Sequence, residues 1–325
     1  MKRELCRQVI ARVGSTATVL LMGIAAAGCA GSERPVPDNL VVVSIQPQAW
    51  LVERVAGETV EVATLLSPGD SPATYQPTDT QISRVLQAAA YFRIGVPFEE
   101  GEWFRAIASS RRIRIIDTRE GITLRPIETG HSHEHEAESG QAHEHEAESE
   151  HSGEAGTDHV HSAGGLDPHI WLSPRLLAIQ ARTVARALGE IFPEHQETFT
   201  ANLAALETAL DSLDRELAAL LAPVRGRTIF LFHPSWGYFA DDYGLHQMPI
   251  EIEGKEPSDA ELTAFQQLAR SEGIRVIFIQ PQITSHTADI LAAALDAEVR
   301  LLDPLARDVM LNLRSTAELL AGALR

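Results

Sequence analysis

Cysteine is nearly absent. The 325 residues hold two, Cys6 and Cys29, too few for a disulfide framework or for a cysteine-rich zinc or iron–sulfur module. Basic residues are scarce beside acidic ones, 27 Lys and Arg against 45 Asp and Glu, for a net charge of −18. That balance lacks the cationic footprint of a nucleic-acid-binding protein and suits a cationic partner such as a metal ion. Aromatic residues are few, at 6%. The apolar run near the N-terminus, VGSTATVLLMGIAAA, falls short of the ~20 residues that span a bilayer. Neither the H-E-x-x-H pattern of zinc proteases nor a G-x-S-x-G nucleophile elbow occurs. What the chain has is bulk for two ordinary domains, 44% hydrophobic residues to build their cores, and 13 histidines.

Residues 1–28 read as an address. Lys2, Arg3, Arg7 and Arg12 precede the apolar run, which ends in small residues before Cys29. The ending AAGC resembles a bacterial lipoprotein signal, with Ala26, Ala27 and Gly28 at the small positions and Cys29 as the lipidated residue. The mature protein is then extracytoplasmic, in the periplasm or at the cell surface, anchored to a membrane by lipid at Cys29. Residues 29–38 are polar and Pro-bearing, the composition of a tether.

From 39 onward β-branched runs alternate with helical patterns. Strands are expected at 39–45, 59–66, 91–96 and 112–117, with helices at 48–56 and 78–89. Helices follow at 174–191 and 195–221. The second carries Phe199, Leu203, Leu206, Leu210, Leu213, Leu217 and Leu220, one apolar stripe at 4-3 spacing that serves core packing. Strands at 227–232, 275–280 and 298–302 then alternate with helices at 258–273 and 284–295 and a last helix from about Asp308. The expected fold is α/β: two Rossmann-like lobes with parallel sheets joined by a long rigid linker helix. The boundaries are an N-terminal lobe at 39–173, a linker helix region at 174–222 and a C-terminal lobe at 223–325.

The segment 128–164 interrupts the first lobe. Between Glu128 and Asp167 there are eleven acids, no Lys or Arg, and eight histidines: His131, His133, His135, His143, His145, His151, His159 and His161. The heptapeptide HEHEAES occurs twice, at 133–139 and 143–149. With no apolar periodicity the segment is expected to be disordered when unoccupied, and to bind metal weakly because each binding event must first order the chain.

Two further histidines stand in patterned surroundings: His169 in GLDPHIW and His233 in LFHPSWGY, directly after a strand. Both fall at strand or loop ends, where open α/β sheets carry their ligands. Neutral imidazole ligates zinc and other late divalent metals, and Asp167, two residues before His169, is placed to orient its ring.

The segments SPATYQPTDTQ (71–81), YFRIGVPFE (91–99), GLDPHIWLSP (165–174), FHPSWGYFADDYGL (232–245), EGKEPS (253–258) and IFIQPQ (277–282) together resemble the zinc- and manganese-type solute-binding proteins of bacterial ABC importers, the ZnuA/TroA-like group. The resemblance spans nearly all of the mature chain, and the His-rich insert before DPH is typical of the zinc-importing members. It implies two α/β lobes joined by one long helix, and a receptor that captures a divalent metal and delivers it to a permease. It carries His169 and His233 over as direct ligands. Two positions depart from the pattern: Ala73 stands where the group usually has a first metal-binding histidine, and Gln280 where an acid is common.

Two imidazoles leave a tetrahedral zinc short of ligands. A carboxylate such as Glu256 or Glu251 completes the shell, or a tract histidine folds in, or the site holds metal with waters or takes another metal. The first is preferred, since Asp241, Asp242, Glu251, Glu253 and Glu256 all follow His233. Three functions compete. One is a transport receptor for zinc, with Mn²⁺ or Fe²⁺ as alternatives, working as a monomer with an ABC permease and without nucleic acid. The second is a metal-buffering or interaction lipoprotein with a degenerate cleft. The third is an extracellular metallohydrolase whose two-histidine site leaves room for an activated water. We adopt the receptor, which is not an enzyme.

Overall fold

The structure is a computed structural model that describes residues 37–128, 165–250, 275–282 and 297–325, with positions 263, 267, 270, 271 and 293 between them. The leader, Cys29, the His/Glu tract and the segment 251–262 lie outside the described residues, as do most positions of the helices expected at 258–273 and 284–295.

Among the described residues, eight short strands form two four-stranded parallel sheets. In the first, β1 (Leu40–Val43), β2 (Glu61–Thr64), β3 (Ala90–Arg93) and β4 (Arg114–Asp117) run in the order β2-β1-β3-β4. In the second, β5 (Thr228–Leu231), β6 (His246–Pro249), β7 (Val276–Ile279) and β8 (Glu298–Leu301) take the matching order β6-β5-β7-β8. Val42 pairs with Ala63 on one side and Tyr91 on the other, and Leu231 with Pro249 and Phe278. The central strands LVVV, AYFR, TIFL and VIFI are apolar but for Arg93 and Thr228 at strand ends, because parallel strands are covered on both faces, whereas the outer strand EVRL is largely exposed.

Some helices begin where a side chain satisfies their first N–H groups. Thr78 and Gln81 form a reciprocal capping box at α2 (Asp79–Gln87), Gln81 Oε1 accepting from Thr78 N at 2.9 Å. Ser173 Oγ accepts from Leu176 N at 3.2 Å to open α4 (Pro174–Ile191). α1 (Gln46–Ala56) starts two residues earlier than the pattern suggests, because Pro47 sits in its first turn, where no N–H is needed. The long helix α5 (Gln196–Leu221) buries Phe199, Leu206, Leu210, Leu213, Leu217 and Leu221, with Leu203 and Leu220 half-buried. It packs along α4 and also meets α1 and the C-terminal helix α7 (Val309–Ala323), so its stripe is the spine that both lobes share.

Two described α-helices and one strand are absent from the sequence expectation: α3 (Glu102–Ser110), α6 (Gly237–Tyr243) and β6. α6 opens on a glycine and carries an Asp pair, poor helix formers that burial of Tyr238, Phe239, Ala240 and Tyr243 overrides. β6, with the sequence HQMP, lacks β-branched residues and ends in proline, which only an edge strand tolerates.

Candidate metal centre

In each sheet the strand order changes direction between its two central strands, and a crevice opens beyond their C-terminal ends. In the second sheet those ends are Phe232–His233, after β5, and Gln280, after β7. The two residues meet: Gln280 Nε2 donates to the His233 carbonyl at 3.3 Å and lies 3.2 Å from Ser235 Oγ. Both bonds engage the amide nitrogen, so the amide is oriented with Oε1 as its remaining pole. Gln280 is 5% exposed, and Oε1 has no hydrogen-bond partner among the described residues.

His169 arrives from the other lobe. Its loop is held by backbone pairing of 125–127 with 165–167, through Asp167 N to Arg125 O and Ile127 N to Gly165 O, each 2.9 Å. Asp167 is 1% exposed and does three jobs. Its Oδ1 accepts from His169 N at 2.9 Å and lies 2.7 Å from His169 Nδ1, while its carbonyl accepts from Tyr238 Oη at 2.9 Å. A carboxylate on Nδ1 keeps the proton there and puts the ring's lone pair on Nε2, the arrangement of a metal-binding histidine. The His169 ring stands 5.2 Å from the Trp171 ring and 5.3 Å from the His233 ring. Trp171 is fixed in turn by donation from Nε1 to the Pro304 carbonyl at 2.6 Å.

Behind the histidines the two loops are bolted together. Tyr238, on the helix that follows His233, accepts from Arg125 N at 3.1 Å while donating to Asp167. Burial raises its phenol to about 12, so it stays protonated as a donor. Ser173 Oγ donates to Asp242 Oδ2 at 2.6 Å, and Arg175 lies 3.3 Å from Asp242 and 3.2 Å from Asp214. Burial raises the Asp242 carboxyl above its ordinary range, against the opposing pull of Ser173 and Arg175. Gly237 lets the Arg125 guanidinium approach closely: a Cβ there would stand 1.9 Å from Arg125 Nη1, and that side chain would have to shift.

His169, His233, Gln280 and Ala73 all face one cavity of about 500 Å³. The Ala73 loop is held by Tyr75 Oη and Gln81 Nε2, which donate to the Leu65 carbonyl at 2.6 and 3.0 Å. The structure therefore brings together the two histidines, the amide and the alanine that the sequence singles out. Asp241 and Asp242 lie elsewhere, turned toward Arg125 and Arg175. Glu251, Glu253, Glu256 and the eight tract histidines fall outside the described residues. Among the described residues no three His, Cys, Asp or Glu side chains are grouped closely enough to hold a metal ion. Sequence reasoning missed Ser235 and Tyr238, whose signal was their place in FHPSWGY beside His233, and Glu100, which lines the cavity.

The family model of the zinc-uptake complex component A periplasmic proteins, ZnuA, matches residues 41–312. The chain belongs to the ZnuA family. A crystal structure of ZnuA is 34% identical, superposes with a TM-score of 0.75, and is covered in full by 89% of this chain. A second ZnuA structure, a 138–173 deletion mutant with zinc bound, is also 34% identical, with a TM-score of 0.73 over 89% of this chain and 98% of its own. The zinc-binding protein AdcA of Streptococcus pyogenes serotype M3 is 28% identical over 270 residues, 82% of this chain but half of AdcA. A Chlamydia trachomatis serovar D protein is 25% identical over 283 residues, 87% of this chain and 90% of its own. ZnuA-family proteins are metal-binding solute receptors of metal transport, not enzymes, which sets the hydrolase reading aside.

Proposed function

We propose that the protein captures zinc outside the cytoplasmic membrane and hands it to an ABC permease. The observation that carries this reading is the pairing of His169 and His233 in one cavity, rings 5.3 Å apart, with Asp167 seated on Nδ1 of the first. His169 and His233 are the direct ligands, Gln280 Oε1 the third, and Glu256 the acidic group that completes the shell. A shell led by imidazole favours zinc over manganese or iron. The zinc-bound ZnuA variant and AdcA support the same metal. The basic leader and the AAGC ending support export and a lipid anchor at Cys29, with the receptor working as a monomer. The eight tract histidines are weak auxiliary sites. Ile127 and Gly165, which flank the tract, line the cavity.

The test is a zinc titration with elemental analysis on the chain with and without 129–164, each with His169→Ala and His233→Ala beside it. Deletion is practicable because Ile127 N and Gly165 O already meet at 2.9 Å. One tight equivalent that survives the deletion and disappears with the histidines is expected. A second reading, a metal buffer with a degenerate cleft, draws on Ala73 and on the lack of a three-donor group among the described residues. It requires the opposite result: binding lost with the tract and indifferent to both histidines.

A further inference from the structure

Four arginines fall within the ten residues 105–114: Arg105 on α3, Arg111 at the C-terminal cap of that helix, and Arg112 and Arg114 on the run into the edge strand β4. All four are exposed. None has a carboxylate partner among the described residues, whereas Arg84, Arg119, Arg182, Arg186 and Arg314 each lie within 3.2 Å of one. In a chain of net charge −18 this is a local reversal of sign. Exposed charges are screened beyond ~8 Å at physiological ionic strength, so a surface touching the patch meets the arginines rather than the net charge. Charge on an edge strand also deters pairing with another chain. That accounts for Arg112 and Arg114, but not for Arg105 on the helix or Arg111 on its cap.

The place of the patch matters as much as its sign. The strands of the first sheet are parallel, with Val41 beside Ala90 and Ala90 beside Arg114. The start of β4 therefore lies at the same end of the lobe as the start of β1, two strand spacings or ~10 Å away. There the chain enters the lobe, where Leu40 N donates to the Pro37 carbonyl at 3.0 Å. Cys29 precedes Pro37 by eight positions, a reach of at most ~29 Å. The cavity takes its first-lobe walls from Ala73 and from Gly95, Val96 and Pro97, which follow β2 and β3 at the opposite, C-terminal ends of the strands.

From these observations we infer that Arg105, Arg111, Arg112 and Arg114 form a docking surface for the anionic phospholipid headgroups of the membrane that holds the anchor. This rests on the lipid anchor at Cys29 proposed above and adds the orientation of the anchored lobe. The tether limits how far the lobe can stand from the bilayer, and the patch decides which end faces it. Guanidinium groups donate in pairs to phosphate oxygens, and basic residues at an anionic surface add their attractions. The docked lobe turns the starts of its strands to the bilayer and its cavity end away from it.

The experiment reconstitutes the mature, lipidated chain in vesicles of phosphatidylcholine, alone or mixed with phosphatidylglycerol, that carry a quencher on their headgroups. A fluorescent dye is attached at Ser109→Cys, beside the patch, or at Ser67→Cys, after β2 at the cavity end. Expected is a rise in quenching at 109, and none at 67, when phosphatidylglycerol is present. High salt abolishes the rise, as does glutamine at all four arginine positions, whereas lysine at the same positions keeps it because the attraction needs only charge. If the glutamine variant does not fold, as read by circular dichroism, the salt series and the lysine variant decide. No rise at 109, an equal rise at both positions, or a rise indifferent to salt overturns the proposal, and leaves the arginines as guards of the edge strand or a contact for an acidic protein. Failure of the anchor shows separately: the chain then does not float with vesicles of phosphatidylcholine alone, and the orientation argued from the anchor falls with it.

Discussion

Replacing Asp167 separates two contributions that the structure joins in one side chain. Oδ1 accepts from His169 N and faces His169 Nδ1, and the side chain is 1% exposed. Asp167→Asn can keep an acceptor oxygen in the same place, but a neutral one, so the ring loses the charge that raises its basicity while its direction is retained. Asp167→Ala loses both, and removes the carboxylate that accepts from the His169 N–H. Loss of such a partner costs metal sites about 10–100-fold in affinity, about 1.4–2.7 kcal/mol. The alanine variant should fall near the upper end and the asparagine variant near the lower. Alanine alone should also lose about 1–3 kcal/mol of stability for the loss of this buried hydrogen bond. Competitive zinc titration against a chromophoric chelator reads the first quantity, and urea unfolding without metal the second. If Asp167→Ala binds zinc within twofold of the parent chain, the ring is not oriented by this carboxylate and the assignment of Nε2 as the ligating atom fails.

Three further expectations follow from the same geometry. Ser235→Ala removes one of the two anchors of the Gln280 amide, worth about 0.5–1.5 kcal/mol, so zinc affinity should fall about 2–12-fold while Gln280→Ala makes the change non-additive; a strictly additive double variant refutes the coupling. Burial raises Asp242 above its unfolded value near 3.8, so the native state holds that proton more tightly than the unfolded chain. Its favourable contribution is therefore complete below the unfolded value and is lost as pH rises through the folded one, and the Tm of Asp242→Asn relative to the parent should climb across that window in a pH series. Glu99 accepts from Ile94 N and Gly95 N at 3.0 and 2.6 Å and from Ser44 and Tyr91, all in the first sheet's crevice. Glu99→Gln sets an amide N–H against one of these donors, and should cost about 1–3 kcal/mol in urea unfolding.

The parallel sheets were legible because their central strands are unbroken apolar runs, and α5 because seven apolar residues repeat at helical spacing. α6 and β6 were not, since Gly237, Asp241, Asp242 and Pro249 speak against regular structure and only burial against α5 and β5 imposes it. His169 and His233 were visible as residues, and their meeting was not. Sixty-four positions separate them, and it takes the pairing of 125–127 with 165–167 and the Tyr238–Asp167 bond to bring one lobe's loop to the other's. The direction of the Gln280 amide was wholly hidden, because it depends on a serine hydroxyl and a carbonyl from a different strand end.

The two sheets share one strand order yet use their crevices differently. In the first, the space beyond β1 and β3 is closed from within. Glu99 folds back into it, and burial together with that carboxylate holds the Tyr91 phenol well above its usual range as a permanent donor. The loop carrying Gly95, Val96 and Pro97 is thereby fixed as a wall of the cavity without contributing a ligand from its own crevice. In the second, the space beyond β5 and β7 is left open and furnished with His233 and Gln280. His169 is added from the chain that leaves the first lobe, and Ser173, Asp242 and Tyr238 fasten it to the helix that follows His233. Both histidines therefore sit on one braced block, and the opposing surface is the wall around Ala73, Val96 and Pro97. On the proposed reading, two imidazoles fixed in this way set the geometry of the metal before it arrives. Ala73, on the facing wall, offers the ion no donor, and Gln280, beside His233, offers an oxygen without a charge.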